Sequence, residues 1–97
     1  MRIKECNGVY PLSNDSFFLL EVAMKELQNL KMIIERPKVL EIGTGTGIIA
    51  INLAKNDAIV TATDISYKAV KCAELNAKIN GVNICLLYTS PSPRDRG

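Results

Sequence analysis

The sequence predicts an α/β fold with a parallel sheet, built in the order helix, β-α-β-α-β. Three observations carry this expectation. Apolar runs at helical spacing alternate with short β-branched runs. The glycine-rich turn Glu41-Ile42-Gly43-Thr44-Gly45-Thr46-Gly47 joins one β-branched run to a helical segment, and an acid, Asp64, closes the next. A complete doubly wound domain needs roughly 150 residues or more. The 97 residues present are therefore expected to hold the N-terminal half of such a domain, in residues 1–84.

The first helix is announced by Ser13, Asn14 and Asp15, all good N-cap formers, ahead of an apolar stretch from Phe17 to Ile34. Leu19, Ala23, Leu27, Leu30 and Ile34 recur every three or four residues, and Glu21, Lys25, Gln28 and Lys31 take the other side. Pro37 ends it, because the residue before a proline is pushed out of the helical region. Lys38-Val39-Leu40-Glu41-Ile42 reads as a buried strand running into the glycine turn. Ile48, Ile49, Ile51, Leu53 and Ala54 suit a helix from Thr46 to about Lys55, packed on that strand. A second strand follows from Ala58 to Thr63, closed by Asp64. The next helix has Ser66 as its cap, Ala69, Val70, Ala73 and Ala77 as its packing face, and Asn80-Gly81 as its stop. Val82-Asn83-Ile84 opens a third strand, and right-handed crossovers make the three parallel.

Composition narrows the function classes. A net charge of +2 from 12 basic and 10 acidic residues leaves no electrostatic footprint for nucleic acid. No run reaches membrane-spanning length, and the charged start, Met1-Arg2-Ile3-Lys4-Glu5, lacks the apolar core of a signal peptide. Cys6, Cys72 and Cys85 are far apart and odd in number, in a chain without histidine. That pattern predicts neither a disulfide framework nor a zinc site and fits a reducing cytoplasm.

The chemistry concentrates in the glycine turn. Without Cβ atoms the backbone turns sharply and lies close against a ligand, and the helix start presents free N–H groups. Such a turn suits a nucleotide-like cofactor. Asp64 ends the neighbouring strand at the same carboxyl edge, where an acid accepts hydrogen bonds from vicinal ribose hydroxyls. Gly45-Thr46-Gly47-Ile48-Ile49-Ala50 also matches the dinucleotide pattern G-x-G-x-x-G/A, which keeps a nicotinamide-dependent oxidoreductase open. Two features weigh against it: Glu41 would be a carboxylate inside the strand with no partner, and a substantial helix precedes the first strand.

Both features belong to another family. Val39 to Gly47 resembles the first motif of class I S-adenosylmethionine-dependent methyltransferases, Ala62-Thr63-Asp64-Ile65-Ser66 resembles the second, and Ala69 to Gly81 is similar to their A-x-x-A-x-x-N-A-x-x-N-G helix. Upstream, Gly8 to Leu20 resembles the Y-x-P-x-E-D-S-F-L-L opening of the HemK-type protein glutamine N5-methyltransferases, especially the short branch without an extra N-terminal domain. It departs at Asn14, where the family usually has Glu, and in having Pro11 directly after Tyr10.

The resemblance implies a Rossmann-like fold with S-adenosyl-L-methionine as cofactor. Glu41 would hold the methionine amino end, Gly43, Gly45 and Gly47 would admit the backbone beside the cofactor, Asp64 would bind the ribose and Ile65 would flank the adenine. The lesser alternative for Asp64 is a loop cap before Ser66, and Asp15 and Ser16 either line the cofactor entrance or only cap their helix. The implied partner is a methyl-accepting substrate of the release-factor type, with a small activator subunit as a further partner. A chain that keeps the fold as a non-catalytic subunit is a third reading. HemK-type enzymes hold the substrate amide with an Asn-Pro-Pro-Tyr segment after the fourth strand. The prolines here are Pro11, Pro37, Pro91 and Pro93, so that segment is absent and no catalytic residue is assigned.

The sequence changes character at Cys85. Leu86-Leu87-Tyr88 can continue a strand, but Thr89 to Gly97 is polar, proline-bearing and aperiodic. Cys85 to Asp95, CLLYTSPSPRD, resembles the translation of a transposase sequencing adapter. Residues 85–97 are accordingly expected to be a non-native or disordered tail.

Overall fold

The computed structural model describes residues 1–89. Its elements are α1 (Asn14–Lys31), β1 (Lys38–Ile42), α2 (Ile48–Lys55), β2 (Ile59–Asp64), α3 (Tyr67–Asn80) and β3 (Cys85–Tyr88). The strands form one parallel sheet in the order β1-β2-β3, with Glu41 beside Ala62 and Ala62 beside Leu86. The predicted alternation and the parallel sheet are therefore present. No helix among the described residues is long and apolar enough to cross a membrane.

The helix signals act where the sequence places them. Ser13 caps α1 through a capping box with Ser16, each hydroxyl accepting from the other residue's backbone N–H. The Ser66 hydroxyl accepts from the Ala69 N–H at the start of α3, and Gly81 ends that helix with φ +68°.

All three helices lie on one face of the sheet. Val60 and Ala62 of β2 are buried under Ala50 and Leu53 of α2 and Leu27 of α1, with Ala23, Met24, Val39 and Leu86 packed against them. α1 docks through Ala23, Met24 and Leu27, whereas Leu19, Leu30 and Ile34 of the expected apolar stripe stay exposed. The docked face differs from the sequence-derived stripe because α1 packs chiefly against α2, reaching the sheet through Leu27. α3 buries its expected residues Ala69, Val70, Ala73 and Ala77, together with Cys72 and Asn76.

Two expectations need correction. Cys6 and Cys72 form a disulfide, their Cα atoms 6.1 Å apart, where the spacing predicts no pairing. The N-terminal arm runs along α3, and a separation of 66 residues hides that contact from any local reading. The third strand is β3, Cys85–Tyr88, rather than a run opening at Val82. Its four residues, expected in the tail, are ordered against β2 because an apolar tetrapeptide suffices to pair with an open strand edge. Residues 90–97, including Pro91 and Pro93, lie outside the described residues.

Candidate functional site

β1 delivers Glu41 and then releases the chain into the glycine turn at the carboxyl edge of the sheet. The turn is pinned to the end of β2, since the Gly43 and Thr44 N–H groups both donate to the Thr63 carbonyl at 2.8 and 3.0 Å. The Gly45 N–H donates to Oδ2 of Asp64 at 3.0 Å, and Oδ1 of the same carboxylate accepts from the Ser66 N–H at 2.9 Å. Asp64 thus joins the two turns at the carboxyl edge of the sheet.

The glycines divide by purpose. Gly43 and Gly45 have φ of +78° and +55°, and a Cβ on either would meet nothing within 4 Å: they open onto free space. Gly47, at φ +88°, is buried under α3, where a Cβ would come within 3.0 Å of the Ala73 Cβ and 3.2 Å of its Cα. Gly47 is needed for helix packing against the turn, not for an opening.

Glu41 is the unusual charge. Its carboxyl is half-buried, and burial pushes it up from 4.5 to about 7, with Asp64 adding to the rise while the Thr44 hydroxyl and the Ala50 backbone oppose it. The Thr44 hydroxyl donates to Glu41 Oε1 at 2.8 Å. The ion pairs among the described residues are Lys31–Asp57 and Lys71–Glu74, so none of the described cations pairs with Glu41.

A cleft of about 190 Å³ opens between this turn and the N-terminus of α1. Glu41, Gly43, Thr44, Gly45 and Thr46 form its floor, and Tyr10, Pro11, Leu12, Asp15, Ser16 and Leu19 form its wall. Asp15 and Ser16 both line this cleft, and Ser16 also serves the cap. Of the six sequence-derived site residues, Glu41, Gly43 and Gly45 share the cleft. Gly47 lies beneath it, Asp64 touches it through Gly45, and Ile65 stands apart, 63% exposed.

Sequence reading gave no role to the threonines of the turn, nor to Asn76, which stands there only as part of the helix motif. Thr44 and Thr46 are buried inside the turn. Asn76, fully buried on α3, donates from Nδ2 to the Thr46 carbonyl at 2.9 Å. The signal for Asn76 was a polar residue on an otherwise apolar helix face.

A parallel sheet with this turn, its strand-end acid and three helices on one face forms the first half of the Rossmann-like fold of class I methyltransferases. The solved ribosomal protein L11 methylase of Lactobacillus delbrueckii subsp. bulgaricus superposes with a TM-score of 0.70 at 31% identity, over 95% of this chain and 46% of that one. A Pyrococcus abyssi tRNA (uracil-54, C5)-methyltransferase in complex with S-adenosyl-L-homocysteine superposes at 0.61 and 25% identity, over 86% of this chain and 20% of that one.

The sequence profile of the methyltransferase small domain matches residues 15–92, and the chain belongs to that family. Among curated relatives, a release factor glutamine methyltransferase of Deinococcus radiodurans is 42% identical over 69 residues, which are 69% of this chain and 23% of the relative. A putative protein N5-glutamine methyltransferase of Methanocaldococcus jannaschii is 46% identical over 85 residues, 87% of this chain and 39% of the relative. The chain thus spans between about a quarter and two fifths of the length of these relatives.

Proposed function

We propose that this chain is the cofactor half of an S-adenosylmethionine-dependent methyltransferase acting on a protein glutamine amide of the release-factor type. The observation that carries the reading is Glu41: a half-buried carboxylate with no ion-pair partner among the described residues, beside two glycines that leave free space. A ligand bringing an ammonium group to that point offsets the cost of burying the carboxylate. The methionine end of S-adenosylmethionine carries one. A dinucleotide pyrophosphate, being anionic, does not fit beside it.

In this reading Glu41 holds the amino end, and Gly43 and Gly45 admit the cofactor against the backbone. Asp64 turns one carboxylate oxygen to the ribose hydroxyls while keeping the turns joined, and Ile65 flanks the adenine. Gly47 keeps the turn seated on α3. Asp15 and Ser16 close the entrance from α1. The bound cofactor supplies a methyl group activated on a sulfonium, and the chain's residues contribute position and exclusion of water.

The names of the relatives, which specify glutamine, support this acceptor. Residues that grip the acceptor belong to sequence outside residues 1–84, so the 97-residue chain alone transfers no methyl group. We further propose that residues 85–97 derive from an adapter and not from the gene, and independent resequencing across the Ile84 codon decides this. The reading places the protein in the cytoplasm, where Cys6 and Cys72 meet a reducing thiol pool. The test is to incubate the full-length protein with S-adenosylmethionine and a release-factor peptide containing glutamine. Mass spectrometry should show one methyl on the side-chain amide. Turnover of the cofactor with a different acceptor and none with the peptide would overturn the substrate assignment.

A further inference from the structure

The N-terminal arm meets α3 as a ladder. The Arg2 backbone pairs with the Asn80 side-chain amide, N–H to Oδ1 at 3.1 Å and carbonyl from Nδ2 at 2.7 Å. The Lys4 backbone pairs in the same way with Asn76, at 2.7 and 2.9 Å. Cys6 is bonded to Cys72, and Gly8 lies against the Lys68 side chain, where a Cβ would come within 2.9 Å of it. Every second residue of the arm thus meets every fourth residue of the helix, running in opposite directions. The spacings agree because two extended residues rise about 6.6 Å and four helical residues about 6.0 Å.

One rung differs from the rest. The Asn80 amide reaches the arm and its own helix, at the Asn76 carbonyl. The Asn76 amide reaches the arm and the glycine turn together, because Nδ2 donates both to the Lys4 carbonyl and to the Thr46 carbonyl, each at 2.9 Å. Beyond Lys4 the arm returns to the cleft: the Glu5 carboxylate accepts from the Leu12 N–H at 2.6 Å, and Leu12 with Tyr10 and Pro11 forms the cleft wall. One buried amide therefore sits between the wall and the floor of the cleft.

We propose that Asn76 is a positioning residue for the cofactor cleft, holding the arm that carries the wall in register with the turn that carries the floor. The inference rests on the proposed function only for the identity of the ligand. Asn76 touches no cofactor. It acts through Thr46 on one side and through Lys4 and Glu5 on the other.

The experiment compares Asn76→Ala with Asn80→Ala and Cys6→Ser in the full-length protein, reading hydrogen exchange, S-adenosylhomocysteine affinity and steady-state methyl transfer. Asn76→Ala should speed exchange in residues 2–12 and 43–47 together and weaken binding about tenfold. KM for the cofactor should rise in step, with kcat within about twofold of the parent. Asn80→Ala and Cys6→Ser loosen outer rungs but leave the Lys4 rung in place, so affinity should stay within about twofold. Deletion of residues 1–5 breaks the arm side while sparing the Asn76–Thr46 bond, and serves if Asn76→Ala does not fold. It should also weaken binding with kcat kept. Unchanged affinity in Asn76→Ala, or in the deletion when it stands in, would overturn the inference, as would faster exchange in only one of the two segments of Asn76→Ala. A parent protein that binds no S-adenosylhomocysteine would sink the proposed function, while exchange in the two segments still decides the coupling.

Discussion

The two faces of the sheet have opposite fates. On one, Val60 and Ala62 are sealed beneath α1 and α2. On the other, Leu40 is 63% and Ile42 81% exposed, with Ile59 and Leu87 also bare. Both faces are apolar, as expected of parallel strands built to be covered on each side. The contrast shows what the described residues build: one helical layer and the carboxyl edge with its glycine turn, and no second layer among them. Such a chain gains its stability almost entirely from the inner face. It also leaves β1 with no partner on its other edge among the described residues, where another strand or another molecule can pair.

This asymmetry can be broken by mutation. The largest effect belongs to the inner face: Leu27→Ala empties a fully buried site in the main cluster and should cost about 2–5 kcal/mol in urea unfolding. In a chain with one covered face, that abolishes a cooperative transition. Retention of a sharp transition would mean that the exposed face or a partner carries more of the stability than the packing shows.

Next in size is the pH dependence set by Glu41. Its carboxyl is raised from 4.5 to about 7 in the fold, so between those values the folded state binds more protons than the unfolded one. Stability should therefore be fullest below about pH 4.5 and fall as pH rises to about 7, by on the order of 3 kcal/mol from this group. Glu41→Gln should flatten that part of the curve.

Asp64→Ala follows. It removes the acceptor for the Gly45 and Ser66 N–H groups and, in the proposed role, the ribose partner, so cofactor affinity should fall by about 1–3 kcal/mol. Titration of the variant with S-adenosylmethionine checks this, and an unchanged affinity leaves Asp64 as a loop cap alone. The smallest effect belongs to the bare face. Leu40→Thr and Ile42→Thr should each change the stability of this chain by no more than about 0.5 kcal/mol, and light scattering should show less self-association.

Much of this was legible in the sequence where local physics sets the outcome. The bounds of β1, the Ser13 and Ser66 caps and the Gly81 stop each depend on a few adjacent residues. The glycine turn and Asp64 could be read together because parallel strands bring their carboxyl ends to one edge. What stayed hidden depends on contacts between distant segments. The Cys6–Cys72 bond and the Asn76 rung both arise from an arm whose path along α3 no local signal announces. The docked stripe of α1 differs from the periodic one because the position of α2 decides which residues meet it. Ile65, placed by motif beside an adenine, lies on a turn that no neighbouring element covers.

The central claim is that Glu41 and the glycine turn are built for a cationic amino-acid end rather than a dinucleotide phosphate. Calorimetry of the full-length protein at pH 7 with S-adenosylmethionine and with NAD, each in two buffers of different ionisation enthalpy, tests it directly. S-adenosylmethionine should bind with net proton release, because an ammonium beside Glu41 favours its ionised form, and the release should vanish in Glu41→Gln. Retention of NAD without S-adenosylmethionine, or S-adenosylmethionine binding with the same proton balance in both proteins, would contradict the account.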